Sequence, residues 1–190
     1  MTGAYLDGQA SADLELVRRA AHGETAAFES LAVRYKDLMY GVCRRITCSD
    51  QDALDALQEA LITMWRRIDS FEGRSAFGTW LYRVATNAAI DEVRRRADGP
   101  IPALEIAADR PGGHDVEATV VATSTVDWAL GKLPPQFRAA LVLREYYDCT
   151  YQQIAEIMEI PIDTVKSRIA RGRHGLAELL GPSGQIDPSP

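Results

Sequence analysis

The chain has 190 residues, 46% of them hydrophobic and 25% charged, which is enough apolar surface for a packed core and excludes a globally disordered chain. That length suits one domain or two small ones. The net charge of −6, read as a sum, argues against nucleic acid as a partner, yet its distribution along the chain reverses that reading. Residues 1–97 carry 13 basic and 14 acidic groups, residues 98–127 carry 1 and 6, and residues 128–190 carry 7 and 7, so the deficit sits almost wholly in the middle. No run approaches the roughly 18 apolar residues of a membrane span, and residues 1–20 lack the apolar stretch of a leader, so a cytoplasmic location is expected. Cys43, Cys48 and Cys149 show no CxxC spacing, which disfavours a disulfide framework or a zinc ribbon.

In chain order, Ser11 reads as the N-cap of a short helix carrying Leu14, Leu16, Val17 and Ala20, ended by Gly23. A second helix repeats Phe28, Leu31, Tyr35, Leu38, Met39, Val42, Cys43 and Ile46 at steps of three and four. The third opens on Ser49 and Asp52 and places Leu54, Leu57, Leu61, Met64, Trp65 and Ile68 on one face, predicted to be its inner one. A turn with Gly73 leads to a fourth helix from about Ala76 to Ala97, with Leu81, Val84, Ala88 and Val93 inward and Arg94, Arg95 and Arg96 in its last turn. Residues 97–125 hold Pro100, Pro102, Pro111, Gly99, Gly112 and Gly113 without helical or strand period and read as a linker. Beyond it, Pro134 and Pro135 open a helix through Phe137, Leu141 and Val142, since proline is tolerated in a first helical turn. Thr150 caps a helix from Tyr151 to about Met158, and a last helix runs from about Asp163 past Leu176. Two short helices joined by a tight turn make a helix-turn-helix pattern.

Two clusters carry chemistry. In the last helix Val165, Ile169, Gly172 and Leu176 share the inner face, while Lys166, Ser167, Ala170, Arg171 and His174 point outward together. Small residues at 167 and 170 admit close backbone approach to base edges, and Lys166 and Arg171 offer donors to guanine. Arg168 and Arg173 lie to the sides and suit phosphates. The simpler alternative is a solvated basic face near a helix C-terminus. The second cluster, residues 69–96, sets Phe71, Phe77, Trp80 and Tyr82 beside Arg74, Arg83 and the terminal arginines, a mixture suited to stacking single-stranded bases. Taken singly, Phe77 and Trp80 are better explained as core.

The runs DALDALQEALITMW, SFEGRSAFGTWLYRVATNAAIDEVRRR and LPPQFRAALVLREYYDCTYQQIAEIMEIPIDTVKSRIARGR, in that order and split by an acidic segment, resemble the extracytoplasmic-function group of the sigma-70 family of bacterial RNA polymerase sigma factors. The resemblance covers residues 12–180 and implies an all-α chain of two small domains on a flexible acidic linker. These are a four-helix region 2 (11–97), the linker (98–127), a helix-turn-helix region 4 (128–180) and a tail (181–190). It implies a non-enzymatic promoter-specificity subunit whose partners are core polymerase (the clamp helices of the largest subunit and the flap region), promoter DNA and an anti-sigma protein. By that resemblance Leu57, Gln58, Glu59 and Met64 bind core polymerase. Phe71, Ser75, Phe77, Trp80, Arg83, Asn87, Arg94 and Arg95 serve the melted minus-ten strand, with Asn87 offering both donor and acceptor to a flipped base. Lys166, Ser167, Arg168, Ala170, Arg171 and Arg173 serve the minus-thirty-five duplex, and the acidic linker occupies a nucleic-acid channel of the polymerase.

Three positions depart from the family pattern: Gly78 for a frequent arginine, Gln153 for a frequent acid, and Asp163 for a frequent glycine, the last expected to act as an N-cap. A free-standing dimeric operator-binding regulator would explain residues 151–173 but leave 69–96 without a role. A helical enzyme lacks its constellation: His22, His114 and His174 are far apart, neither GxSxG nor GxxxxGK[ST] occurs, and no cofactor or metal is implied. The ends, 1–10 and 181–190, are expected to be disordered.

Overall fold

The computed structural model describes residues 10–71, 73, 76–98 and 117–181, leaving aside the side chains of 10–12, 98 and 117–124. The expectations for the two tails and for the proline-rich part of the linker fall largely outside those residues. Among the described residues every regular element is helical: α1 (Ala10–Ala21), α2 (Thr25–Thr47), α3 (Asp50–Arg67), a 3₁₀ turn (Ile68–Ser70), α4 (Phe77–Asp98), α5 (Glu117–Lys132), α6 (Pro135–Glu145), α7 (Tyr151–Met158) and α8 (Ile162–Leu180).

Local chemistry sets these boundaries. Ser49 caps α3 by accepting a hydrogen bond from the Asp52 backbone N–H at 3.3 Å. Thr150 and Gln153 form a reciprocal capping box at the start of α7, so the glutamine that departs from the family pattern satisfies the Thr150 N–H at 2.8 Å. Two other starts differ from expectation. α1 begins at Ala10, which places Ser11 inside the helix. Pro161 is the N-cap of α8 and Asp163 lies in its first turn, where its carboxylate complements the helix dipole.

In the first lobe α2, α3 and α4 pack against one another and α1 crosses α2. The buried carboxylate of Asp13 accepts from the Tyr35 hydroxyl and pairs with Arg34, pinning α1 to α2. The core stripe of α2 is as expected, with Leu31, Tyr35, Met39, Val42, Cys43 and Ile46 buried. The inner face of α3 is not. Ala53, Ala56, Ala60 and Met64 are buried, whereas Leu54 and Trp65 are 52% and 45% exposed. Small alanines let three helices approach closely, and that close approach displaces the larger leucine face outward.

In the second lobe α8 lies on α6. A Cβ at Gly172 would stand 3.3 Å from the Phe137 carbonyl and 3.5 Å from Leu141, so this glycine permits the contact at its cost in helix propensity. The segment read as linker runs into helix α5, whose backbone is helical from residue 117 although the composition there showed no period, and α5 contacts α8 and α2.

The two lobes are joined rather than apart. α4 contacts α7 and α6, α2 contacts α6, and one hydrophobic cluster runs through both lobes. Tyr82 of α4 meets Tyr147 edge to face, with ring centroids 5.3 Å apart. Gly41 gives Tyr147 its room, because a Cβ there would stand 2.9 Å from the Tyr147 hydroxyl.

Candidate nucleic-acid interface

The aromatic cluster of residues 71–80 divides by burial. Phe77 and Trp80 stack with centroids 5.5 Å apart and are 4% and 6% exposed, with Tyr35 edge-on to Phe77. Phe71 is half-buried and lies edge-on to Phe77 at 5.3 Å. Both therefore pack as core residues, which corrects Phe77 as a direct contact, while Trp80 also lines the groove described next. They form the wall that fixes Phe71. Ser75 lies outside the described residues.

Beside this wall, α3, α4 and the end of α7 enclose a groove of about 730 Å³ lined by Thr63, Arg66, Arg67, Arg83, Asn87 and Arg95, among others. Asn87 is exposed and faces this space. Its lining sets four guanidiniums against the carboxylates of Glu59, Asp91 and Glu159, which leaves a positive excess for a phosphate backbone to meet. Arg66 and Arg67 were missed in the sequence because they close α3, where a basic last turn is ordinary; only their spacing from Arg83 and Arg95 in three dimensions marks them. Arg83 currently pairs with Glu159 at 3.1 Å.

At the end of α4 the carboxylates of Asp52, Asp55 and Glu92 lie within 4.8 Å of one another. This acid is neutralised from within the chain, with Arg96 paired to Asp52 and Arg95 to the buried Glu92. Arg94 is exposed and 3.8 Å from Asp91.

On α8 Val165, Ile169 and Gly172 are buried while Lys166, Ser167, Ala170, Arg171 and His174 are exposed, the division that the helical period predicts. Lys166 is 3.0 Å from Asp163, and the Arg171 guanidinium stands 5.8 Å from the centre of the Phe137 ring. Arg173 pairs with Glu145 at 2.6 Å, which holds its pKa above the ordinary guanidinium value. Arg168 is half-buried, and desolvation, then the nearby charge of Arg94, lowers its pKa.

Residues 31–98 match the model of Sigma-70 region 2, and residues 126–174 that of Sigma-70, region 4. The RNA polymerase sigma-H factor of Pseudomonas aeruginosa is 37% identical over 183 residues, which cover 90% of this chain and 94% of that one. The chain belongs to the extracytoplasmic-function group of the sigma-70 family. The sigma factor SigW of Bacillus subtilis, of that group by name, is 33% identical over 86% of this chain and 94% of its own. Among solved structures, CnrH in complex with the cytosolic domain of CnrY has a TM-score of 0.65 and 25% identity, covering 89% of this chain and 97% of its own. The protein is thus a non-catalytic, DNA-binding, promoter-specific subunit of RNA polymerase.

The residues assigned to polymerase binding in this sigma factor are not brought together. Leu57 and Gln58 line an apolar strip with Phe28, Leu54, Leu61 and Trp65, where Phe28 and Trp65 stand edge to face at 4.8 Å. Glu59 lies on the other side of α3, in the basic groove. Met64 is 0% exposed and packs in the lobe's interior, so it is corrected to a core residue. Leu54 and Trp65, read from the period as core, are the groups at this surface. No helix among the described residues is long and apolar enough to cross a membrane.

Proposed function

We propose that this sigma factor reads the minus-thirty-five element as duplex with α8 and holds the melted minus-ten strand along the basic groove of the first lobe. The observation that carries this reading is the pairing of two unlike surfaces on one chain. One is an exposed helix face of small residues flanked by Lys166 and Arg171, suited to a major groove. The other is a concave groove with Phe71 beside it, Asn87 in it and Arg66, Arg67, Arg83 and Arg95 around it, suited to an unpaired strand. A duplex reader alone has no use for the second.

Core polymerase is engaged through the apolar strip of α3, where Leu57 and Gln58 stand beside Leu54 and Trp65, with the flap region as a second contact. Among the described residues of the first lobe, α3 alone exposes two large apolar side chains, Leu54 and Trp65, as a docking face requires. An anti-sigma protein covers part of the same lobe. In support, the similar CnrH was solved in complex with the cytosolic domain of CnrY. The acidic residues of 98–127 occupy a polymerase channel, and the protein works in the cytoplasm with the polymerase. Reconstitution with core polymerase tests the assignment: specific transcription from a cognate promoter is expected. Tight binding to operators by the chain alone, with no activity added to core, would reverse it.

A further inference from the structure

Helix α1 lies outside the residues that match region 2, and the promoter-reading role described above makes no use of it. Its buried carboxylate nevertheless begins an unbroken line of contacts that ends at Phe71. Asp13 is 3% exposed and holds two partners on α2, the Arg34 guanidinium and the Tyr35 hydroxyl. A buried charge with both partners in place is fixed in one geometry, and loss of either leaves the other desolvated and unsatisfied. Burial, and then Asp13, push the Tyr35 phenol up, so it stays protonated and keeps donating. With its hydroxyl held, the Tyr35 ring stands edge-on to Phe77, centroids 5.7 Å apart. Phe77 is edge-on to Phe71 at 5.3 Å, and Trp80 meets Phe71 at 5.9 Å. Aromatic pairs prefer particular orientations, so each ring sets the next.

A second route runs through the backbone. α1 also packs on the 3₁₀ turn Ile68–Ser70, whose Ile68 is buried, and the Phe71 N–H donates to the Ile68 carbonyl at 3.3 Å. Both routes converge on the ring of this cluster that is only half-buried, the one beside the strand groove. A ring that stacks on an unpaired base binds better when its orientation is set beforehand, because less freedom is lost on contact.

We infer that Asp13 is a positioning residue for strand capture: through Tyr35 and Phe77 it presets the Phe71 ring that an unpaired base meets, which makes α1 part of the promoter-opening machinery. This rests on the groove reading above, so the test separates the two. The full chain is reconstituted with core polymerase, and fluorescence anisotropy gives its affinity for a fluorescein-labelled single-stranded 12-mer of randomised sequence, with core polymerase alone as the baseline. Phe71→Ala should weaken binding at least threefold. Asp13→Asn should do the same, while affinity for core polymerase and helical circular dichroism stay at wild-type values. The double variant gives the readout that a purely structural Asp13 would not: Asp13→Asn with Phe71→Ala should bind no more weakly than Phe71→Ala alone, because the carboxylate acts through that ring. Additive losses, wild-type affinity in Asp13→Asn, or an equal fall in affinity for core polymerase overturn the inference and leave the groove reading standing. Wild-type affinity in Phe71→Ala overturns the groove reading, and the inference with it. Should Asp13→Asn fail to fold, Tyr35→Phe replaces it in the same cycle, since it deletes the hydroxyl and keeps the ring. A loss of at least twofold, absent on the Phe71→Ala background, is then expected, and wild-type affinity or additivity overturns the inference.

Discussion

At the scale of single residues, the two nucleic-acid surfaces should respond differently to loss of one side chain. Arg171→Ala should weaken promoter binding by about 1 to 3 kcal/mol, and only for promoters with the matching base. An equal loss on every sequence would mark Arg171 as a phosphate contact, so binding must be compared across sequences at fixed salt. Asn87→Ala should impair strand opening more than closed-complex formation, read as permanganate reactivity of the melted segment; reactivity equal to wild type would remove Asn87 from that role. The cysteines give a pH prediction. Burial pushes Cys43 up to about 12 and Cys149 up to about 11. Each raised folded value means stability that is complete below the unfolded thiol pKa near 9 and is lost as pH climbs through the folded values. Melting temperature should thus fall between about pH 9 and 12, and Cys43→Ala should flatten that fall. What the sequence made legible at this scale was residue type and spacing on α8, where each outward position follows from a period of 3.6. Phe77 and Trp80, taken singly, also read as core, as they are; it was the family resemblance that set them with Phe71 among strand contacts, because a shared motif does not say which ring closes the core.

At the scale of elements, close approach decides where propensity does not. Gly172→Ala adds helix propensity of up to about 1 kcal/mol. It also drives a methyl group against the Phe137 carbonyl at 3.3 Å and Leu141 at 3.5 Å, and overpacking of that kind costs about 1 to 3 kcal/mol. Net destabilisation is therefore expected in chemical denaturation, and a more stable variant would mean that α8 can move away from α6. The same logic explains the misread face of α3. Its leucines and its alanines both recur at helical spacing, and hydrophobicity alone favours the leucines as core. Packing three helices around one axis instead favours the small side chains, and the leucine edge is left for a partner. Starts and stops were more legible: Ser49 and Thr150 announce their helices because a side-chain oxygen must satisfy an orphan N–H. Helix α5 was hidden because Thr and Val at its start carry weak helical preference, and its order comes from contact with α2 and α8.

At the scale of the whole molecule, a shared hydrophobic cluster and a buried Arg138 predict cooperative behaviour. Calorimetry of the wild-type chain should show one unfolding transition, and the double variant Tyr146→Ala with Glu159→Gln, which removes the Arg45 stack and the Arg83 pair between the lobes, should split or broaden it; two resolved transitions in wild type would mean that the lobes melt independently. Sequence could describe each lobe but not their union, because the joint is made of residues such as Gly41, Tyr82 and Tyr147 that each look ordinary within their own segment. The joint has a further consequence for variation: because Arg138 donates to the backbone carbonyls of Ile46, Gly131 and Leu133, it recognises main-chain positions, so the side chains at those positions can change while the guanidinium itself cannot be replaced.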